Sequence, residues 1–392
     1  MKMDKKKFLF CSDIALYPPL LRVAEIIAHE FGLSGHVLTP DESSYSPVYF
    51  PTGVPTADVT KTLKIHSLPG RRGNVSRHGF VVARLKRLLA EIKPDYIWLF
   101  AEFFDGIAHQ FLWHYRFNRG PRMVAYVAGN HMEGTVPLFS ARWPLVSRTR
   151  LKQMLLWPRL DGVAACATKA RECARRIGLP ESVPIVVNYL PCFGPEEAAV
   201  EGISLPWPRD RAVIIGFAGL LSEQKGWKVL LEALSILPQE YKVVIAGEGE
   251  QRSELEAWLK RPGLQERLYY AGLLAKESLL ATYPLFDIFV LPSISTPYSV
   301  EQFGVVLAEA MACGVPVIGS DSGAIPETIG QAGLVVPARD SKALAQAIIR
   351  MSEDQEFRAK VIQMGLEKYR DVYCCQVYAR SIAKMLEIND LP

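Results

Sequence analysis

The sequence predicts an α/β protein built from two doubly wound, Rossmann-like domains. Three observations carry that expectation. In the second half, short continuous apolar runs alternate with amphipathic stretches of helical length, the pattern of parallel strands covered on both faces. The first half repeats the alternation less regularly. At 392 residues, the chain is long enough for two domains with separate cores.

The elements follow in order. Residues 7–12 read as the first strand; the apolar run is short and breaks at Ser12-Asp13, unlike an export signal. Further strand candidates in this half are residues 35–38, 96–100, 123–127, 162–165 and 185–187. Val81, Leu85, Leu88, Leu89 and Ile92 share one helical face, with Arg84, Lys86 and Arg87 largely off it. Residues 191–211, rich in Pro, Gly and acidic side chains, are the expected linker between domains 1–190 and 212–372. The second domain opens with a strand at 212–217 and a helix at 226–236. A strand at 242–246 and a helix at 250–260 follow, then strands at 268–272, 288–291 and 316–320. A last helix is expected over about 373–388.

Composition bounds the function classes. Apolar residues make 49% and charged residues 22% of the chain, as in globular proteins generally. No run of eighteen apolar residues occurs, so no membrane-spanning helix is expected. The seven cysteines form no C-x-x-C pair, and an odd count suits reduced thiols in the cytosol. Charge is asymmetric: residues 1–190 carry a balance of +11, the remainder −7. A basic surface facing an anionic partner is the natural reading.

The richest stretch runs over residues 291–327. Glu301 and Glu309 stand eight residues apart, with Phe303, Gly304 and Val305 between them. A turn that opens a helix presents free amides and a positive dipole end. Gly304, with no Cβ, lets an anionic ligand approach the backbone. Glu301 suits hydroxyl groups, and Glu309, about two turns further on, reaches another part of the same ligand. A nucleotide sugar, polyhydroxylated with phosphate in its middle, fits.

These residues resemble the E-x7-E region of the retaining family 4 glycosyltransferases, and residues 310–317 and 320–327 continue the resemblance. Residues 216–226, with Gly219 and Lys225, are similar to that family's "G-R-L-x-x-x-K-G" turn, although Leu220 stands where an arginine is usual. Residues 245–250, with Gly247 and Gly249, resemble its next glycine turn. The resemblance is specific over about 212–331. It implies a GT-B fold: two Rossmann-like domains facing each other across a cleft, with the C-terminal helix crossing back to the first domain. It also implies site roles. Glu301 would contact donor-sugar hydroxyls and Glu309 the ribose. Lys225 would neutralise the diphosphate, while amides near Phe303, Gly304 and Val305, with the glycine turns, would hold the donor. His131, beside Asn130, is the nearest counterpart of a histidine at the reacting centre; the other reading is a structural histidine.

The expectation is therefore a metal-independent, retaining glycosyltransferase acting on a nucleotide-diphosphate sugar, with no cofactor. No D-x-D pair or His/Cys metal spacing lies near the motifs. The glycine-free loop 13–21 and Leu220 motivate an alternative, a degenerate relative that binds a nucleotide sugar or a partner without catalysis. An NAD-dependent enzyme is disfavoured because no G-x-G-x-x-G follows the first strand. Glu102 and Asp105 are candidate acceptor-side residues. The segment 141–160 combines Trp143 and Trp157 with Arg142, Arg148, Arg150, Lys152 and Arg159. It reads either as a membrane-interface helix or as an ordinary helix docked through Leu151, Met154 and Leu155. Adding Arg71, Arg72, Arg77, Arg84 and Arg87 favours a lipid-linked or otherwise anionic acceptor, as in polysaccharide, lipopolysaccharide or glycolipid assembly, with peripheral contact at the inner face of the plasma membrane. No nucleic-acid module accompanies the charge.

Overall fold

A computed structural model describes residues 5–12, 17–41, 62–70, 79–103, 105–117, 120–129, 155–198, 200–208, 212–296 and 299–388. The chain divides into two units, residues 1–191 with 375–392, and residues 192–374.

In the first unit, β1 (Lys7–Ser12) leads to α1 (Pro18–Glu30) and β2 (Ser34–Pro40). Then come β3 (Lys64–Leu68), α2 (Val82–Ile92), β4 (Tyr96–Glu102), α3 (Gly106–His114) and β5 (Arg122–Val127). β6 (Gly162–Ala165), α4 (Thr168–Arg176) and β7 (Ile185–Val187) complete the sequence-contiguous part. The seven strands are all parallel in the order β3-β2-β1-β4-β5-β6-β7. β1 lies near the middle, so Phe8, Leu9, Phe10 and Cys11 are all fully buried, as its unbroken apolar run requires. α2 buries Leu85, Leu88, Leu89 and Ile92, the predicted face. β3 was not among the predicted strands. It is a half-polar edge strand, Lys-Ile-His-Ser-Leu, without the apolar run that marks the others.

In the second unit, β8 (Val213–Ala218) and α5 (Trp227–Ile236) are followed by β9 (Tyr241–Ala246) and α6 (Arg252–Leu259). Next are β10 (Leu268–Gly272), α7 (Lys276–Thr282), β11 (Ile288–Leu291) and α8 (Val305–Ala312). β12 (Val317–Ser320), α9 (Ile325–Ile329), β13 (Gly333–Val336), α10 (Ser341–Glu353) and α11 (Gln355–Lys368) finish it. Its six parallel strands run β10-β9-β8-β11-β12-β13. The chain moves outward one way from β8 to β10, then returns beside β8 with β11 and moves the other way. The strand order therefore reverses between β8 and β11, the switch point at whose carboxyl end such sheets bind ligands.

Residues 192–208, expected as linker, lie on the second unit where described. The Ile203 amide donates to Thr282 Oγ1, and Trp207 Nε1 donates to the Glu266 carbonyl. After α11 a π turn (Tyr369–Tyr373) delays the last helix, so α12 (Cys375–Met385) starts later than predicted. α12 packs in the first unit: Tyr378 is fully buried, with its ring 5.6 Å from that of Trp98. Among the described residues no helix is long and apolar enough to cross a membrane.

Candidate functional site

The site grows from the two loops at the switch between β8 and β11. After β8 the chain makes a short 3-10 turn, Glu223–Lys225, closed by Gly226 at φ +66°. A Cβ on Gly226 would stand 1.9 Å from the Pro292 carbonyl oxygen, so only glycine lets this turn press on the β11 loop. The Ile294 amide donates to the Gln224 carbonyl at 2.6 Å, and Ser299 Oγ bonds Gln224 Oε1 at 2.7 Å. So pinned, Lys225 Nζ lies 2.7 Å from Glu301 Oε2, and Ser293 Oγ donates to the same oxygen at 3.0 Å. Glu301 is 7% exposed; its backbone carbonyl accepts from the Ala324 amide, and Gly323 approaches it with φ +59°. The two residues that sequence reasoning assigned to sugar and diphosphate are thus ion-paired to each other.

Glycines shape the neighbouring turn. A Cβ on Gly247 would come within 1.9 Å of the Gly219 carbonyl oxygen, and one on Gly249 within 2.5 Å of that of Leu221. The Leu221 amide donates to the Glu248 carbonyl and the Gln251 amide to that of Leu221. Gly219, Gly247 and Gly249 therefore lock the β8 and β9 loops together at their backbones. Leu220 is 51% exposed on this rim, and no cation occupies its position. Arg252, a possible substitute, is engaged by Glu248 and Glu256 at 2.8 and 3.2 Å.

Gly304 caps α8 in the left-handed region, φ +83°, and the half-buried Val305 opens the helix. Phe303 points inward; its ring meets that of Tyr373 edge-on at 5.3 Å, and its carbonyl accepts from Thr328 Oγ1. Two turns along α8, Glu309 is completely buried. Lys276 Nζ holds its Oε1 at 2.6 Å and the Tyr283 hydroxyl its Oε2 at 3.1 Å. Burial, then the Glu309 charge, pushes the Tyr283 hydroxyl well above its ordinary pKa, so it stays a donor. Burial first, and Glu309 second, raises the Cys313 thiol to about 12.

Ser293, Lys276 and Tyr283 were missed as site residues. Ser293 lay inside the motif, but its hydroxyl carries no distinguishing neighbour in sequence. Lys276 is 33 residues from Glu309, and only the fold brings them together. On the first unit, Glu102 Oε1 accepts from the Ala128 amide and Asp105 precedes α3 as its N-cap residue. His131, Asn130, residues 13–16, Arg71, Arg72, Arg77 and residues 141–154 lie outside the described residues. Of the predicted 141–160 helix, the described end is a 3-10 turn with Trp157 in the core, 1% exposed. That corrects the helix expectation there: Pro158 cannot donate to a helical ladder.

Two doubly wound units with a crossing-back terminal helix define a class, the GT-B fold. Over 98% of both chains, the structure resembles sucrose-phosphate synthase from Thermosynechococcus elongatus, at TM-score 0.71 and 18% identity. It also resembles Anabaena HepE in complex with UDP, over 97% of this chain and 99% of that one, at TM-score 0.68 and 18% identity. Residues 206–368 match the model of the "Glycosyl transferases group 1" family, in line with the sequence resemblance. Curated relatives include phosphatidyl-myo-inositol mannosyltransferase of Mycobacterium leprae, 32% identical over 177 residues (44% of this chain, 45% of the relative). Another is 2-deoxystreptamine glucosyltransferase of Streptomyces kanamyceticus, 27% identical over 171 residues (42% and 43%). The aligned stretch thus spans less than half the length of these relatives.

Proposed function

We propose that the protein is a glycosyltransferase that moves a sugar, with retention and without a metal, from a nucleotide-diphosphate sugar to a lipid-linked or anionic acceptor. The observation that carries this reading is the Lys225–Glu301–Ser293 cluster at the strand switch, at the same carboxyl end of the sheet as the Gly304-capped start of α8. As the bond from the sugar's C1 to the diphosphate breaks, charge builds on the departing phosphate. Lys225 and the α8 amides offset that charge, and fixed donors do so without reorganisation. The acceptor oxygen bonds C1 and its proton passes to the leaving diphosphate. Once Lys225 turns to the phosphates, Glu301 is released to bind sugar hydroxyls. Glu309 takes the ribose through lone pairs that Lys276 and Tyr283 leave over. A relative named for phosphatidyl-myo-inositol and a structural neighbour holding UDP agree with such substrates. Polysaccharide or glycolipid assembly at the cytoplasmic membrane face is the proposed setting.

A binding-only protein is the second reading, favoured by Leu220 and by the pairing of Arg252. One experiment separates them: purified protein is screened by mass spectrometry against a panel of nucleotide sugars. The expected result is release of nucleoside diphosphate that falls about 10²–10³-fold in Glu301→Ala. Nucleotide-sugar binding without turnover for any sugar would leave only the second reading.

A further inference from the structure

The chain enters the second unit at Cys192 and leaves it at Cys374. These two residues, far apart in sequence, face each other in an isolated parallel β-bridge. The Cys192 amide donates to the Tyr373 carbonyl at 3.0 Å, which sets the register. A second bond holds the same two segments together: the Tyr369 hydroxyl donates to Glu196 Oε1 at 3.0 Å. The exit segment is anchored in turn by the Tyr373 hydroxyl, which donates to the Thr328 carbonyl at 2.8 Å. Both cysteines are buried, Cys192 completely and Cys374 with 9% exposure. All seven cysteines of the chain are free thiols.

A single buried cysteine packs as a small apolar residue; two opposite each other are also a dithiol. Directly paired residues of neighbouring strands lie about 4.8 Å apart and point to the same side of the ladder. Disulfides need Cα atoms about 4.4–6.8 Å apart, so this pair falls inside the range. Neighbouring sulfurs are turned elsewhere: Cys375 Sγ donates to the Pro19 carbonyl at 3.6 Å, and Cys313 Sγ to that of Leu280 at 3.8 Å. We propose that Cys192 and Cys374 form a dithiol site that low-molecular-weight disulfides oxidise, stapling the entry of the second unit to its exit. Cys374 keeps the exposed surface of the pair and reacts first. Its thiolate attacks one sulfur of a disulfide such as glutathione disulfide, and one glutathione thiol leaves. Cys192 then attacks the Cys374 sulfur of the mixed disulfide and releases the second glutathione thiol. Two protein thiols are oxidised, one small disulfide is reduced, and both protons end on the released thiols. The new bond closes a loop of about 180 residues around the second unit, so unfolding that unit no longer frees its ends. The proposal needs no donor and stands apart from the function proposed above.

The test exposes the full chain to glutathione disulfide, alkylates the remaining thiols and maps linked peptides by mass spectrometry without reduction. The expected product joins Cys192 to Cys374, and the protein loses two of its seven thiols. Its melting temperature should rise by roughly 5–10 °C and return with dithiothreitol. Cys374→Ser should lose both the link and the rise, whereas Cys375→Ser should keep both. Should Cys374→Ser fail to fold, Cys192→Ala makes the same test, and the peptide map of the wild type requires neither. A link from Cys374 to Cys375, a glutathione adduct that persists on Cys374, or seven free thiols after exposure would each overturn the proposal. So would a linked protein that melts where the reduced one does.

Discussion

Replacing Lys276 by Met tests how Glu309 is held. The carboxylate is completely buried, with one oxygen on Lys276 Nζ at 2.6 Å and the other on the Tyr283 hydroxyl at 3.1 Å. Removing one partner of a buried pair costs about 3–5 kcal/mol, because the other charge is left uncompensated. The Lys276 side chain keeps 23% of its exposure, which moves the expectation to the lower end, about 2–3 kcal/mol. At about 2–4 °C per kcal/mol, the second unit should melt roughly 5–10 °C lower. Thermal melts of Lys276→Met, Glu309→Gln and the double variant form a cycle. The double variant should be more stable than Lys276→Met alone, since its buried group is neutral. A Lys276→Met melting point within a degree of wild type, with additive effects in the cycle, would refute a paired, ionised Glu309.

Three further outcomes are expected. Leu220→Arg should tighten nucleoside diphosphate binding about tenfold in calorimetry, because a charge-assisted bond contributes about 1.5–3 kcal/mol and the exposed position accepts the longer chain; unchanged affinity would place the phosphates elsewhere. Gly226→Ala should cost about 3 kcal/mol in denaturant unfolding, combining left-handed backbone with the Pro292 clash, whereas Gly263→Ala, left-handed but with nothing within 4 Å, should cost only about 1; equal costs would contradict the clash. His36 Nδ1 and His66 Nε2 are 3.0 Å apart across β2 and β3, and burial, then His66, lowers His36 to about 4. Its folded pKa lies below the unfolded one, so stability is full above about pH 6.5 and is lost as pH falls toward 4. About 2 kcal/mol should go between pH 7 and 5, and a His36→Gln variant with the same pH slope as wild type would contradict this.

How much the sequence showed depends on where the determining physics sits. Strands at the sheet centres were legible because burial on both faces demands unbroken apolar runs, as in β1, β8 and β11. β3 was not: an edge strand needs one paired side, and Lys64, His66 and Ser67 leave no periodic trace. β13 was missed as well, a four-residue strand, Gly-Leu-Val-Val, that pairs only with β12. Residues 192–208 looked like linker by composition, yet hydrogen bonds from the Ile203 amide to the Thr282 hydroxyl and from the Trp207 indole to the Glu266 carbonyl hold parts of them to the second unit.

The site divides in the same way, and the division bears on its chemistry. Glu301, Gly304 and Glu309 share one loop and helix, so local spacing was enough to group them. What spacing could not reveal is that both carboxylates are already occupied, Glu301 by Lys225 of the turn after β8 and Glu309 by Lys276 at the start of α7. The two pairs are not equivalent. Lys225 is 22% exposed beside a nearly buried Glu301 that also accepts from Ser293, and in the proposed function a diphosphate would compete for its ammonium. Lys276 and Tyr283 instead take one oxygen each of a carboxylate with no exposed surface. If the proposed function holds, exchange of partners would be easier at Glu301, where a nucleotide sugar would draw off the lysine with its phosphates and offer hydroxyls to the carboxylate. At Glu309 a ribose contact would have to form beside an intact pair. Donor binding in this chain should therefore depend on Lys225 through the phosphates and on Lys276 through the shape of the Glu309 pocket.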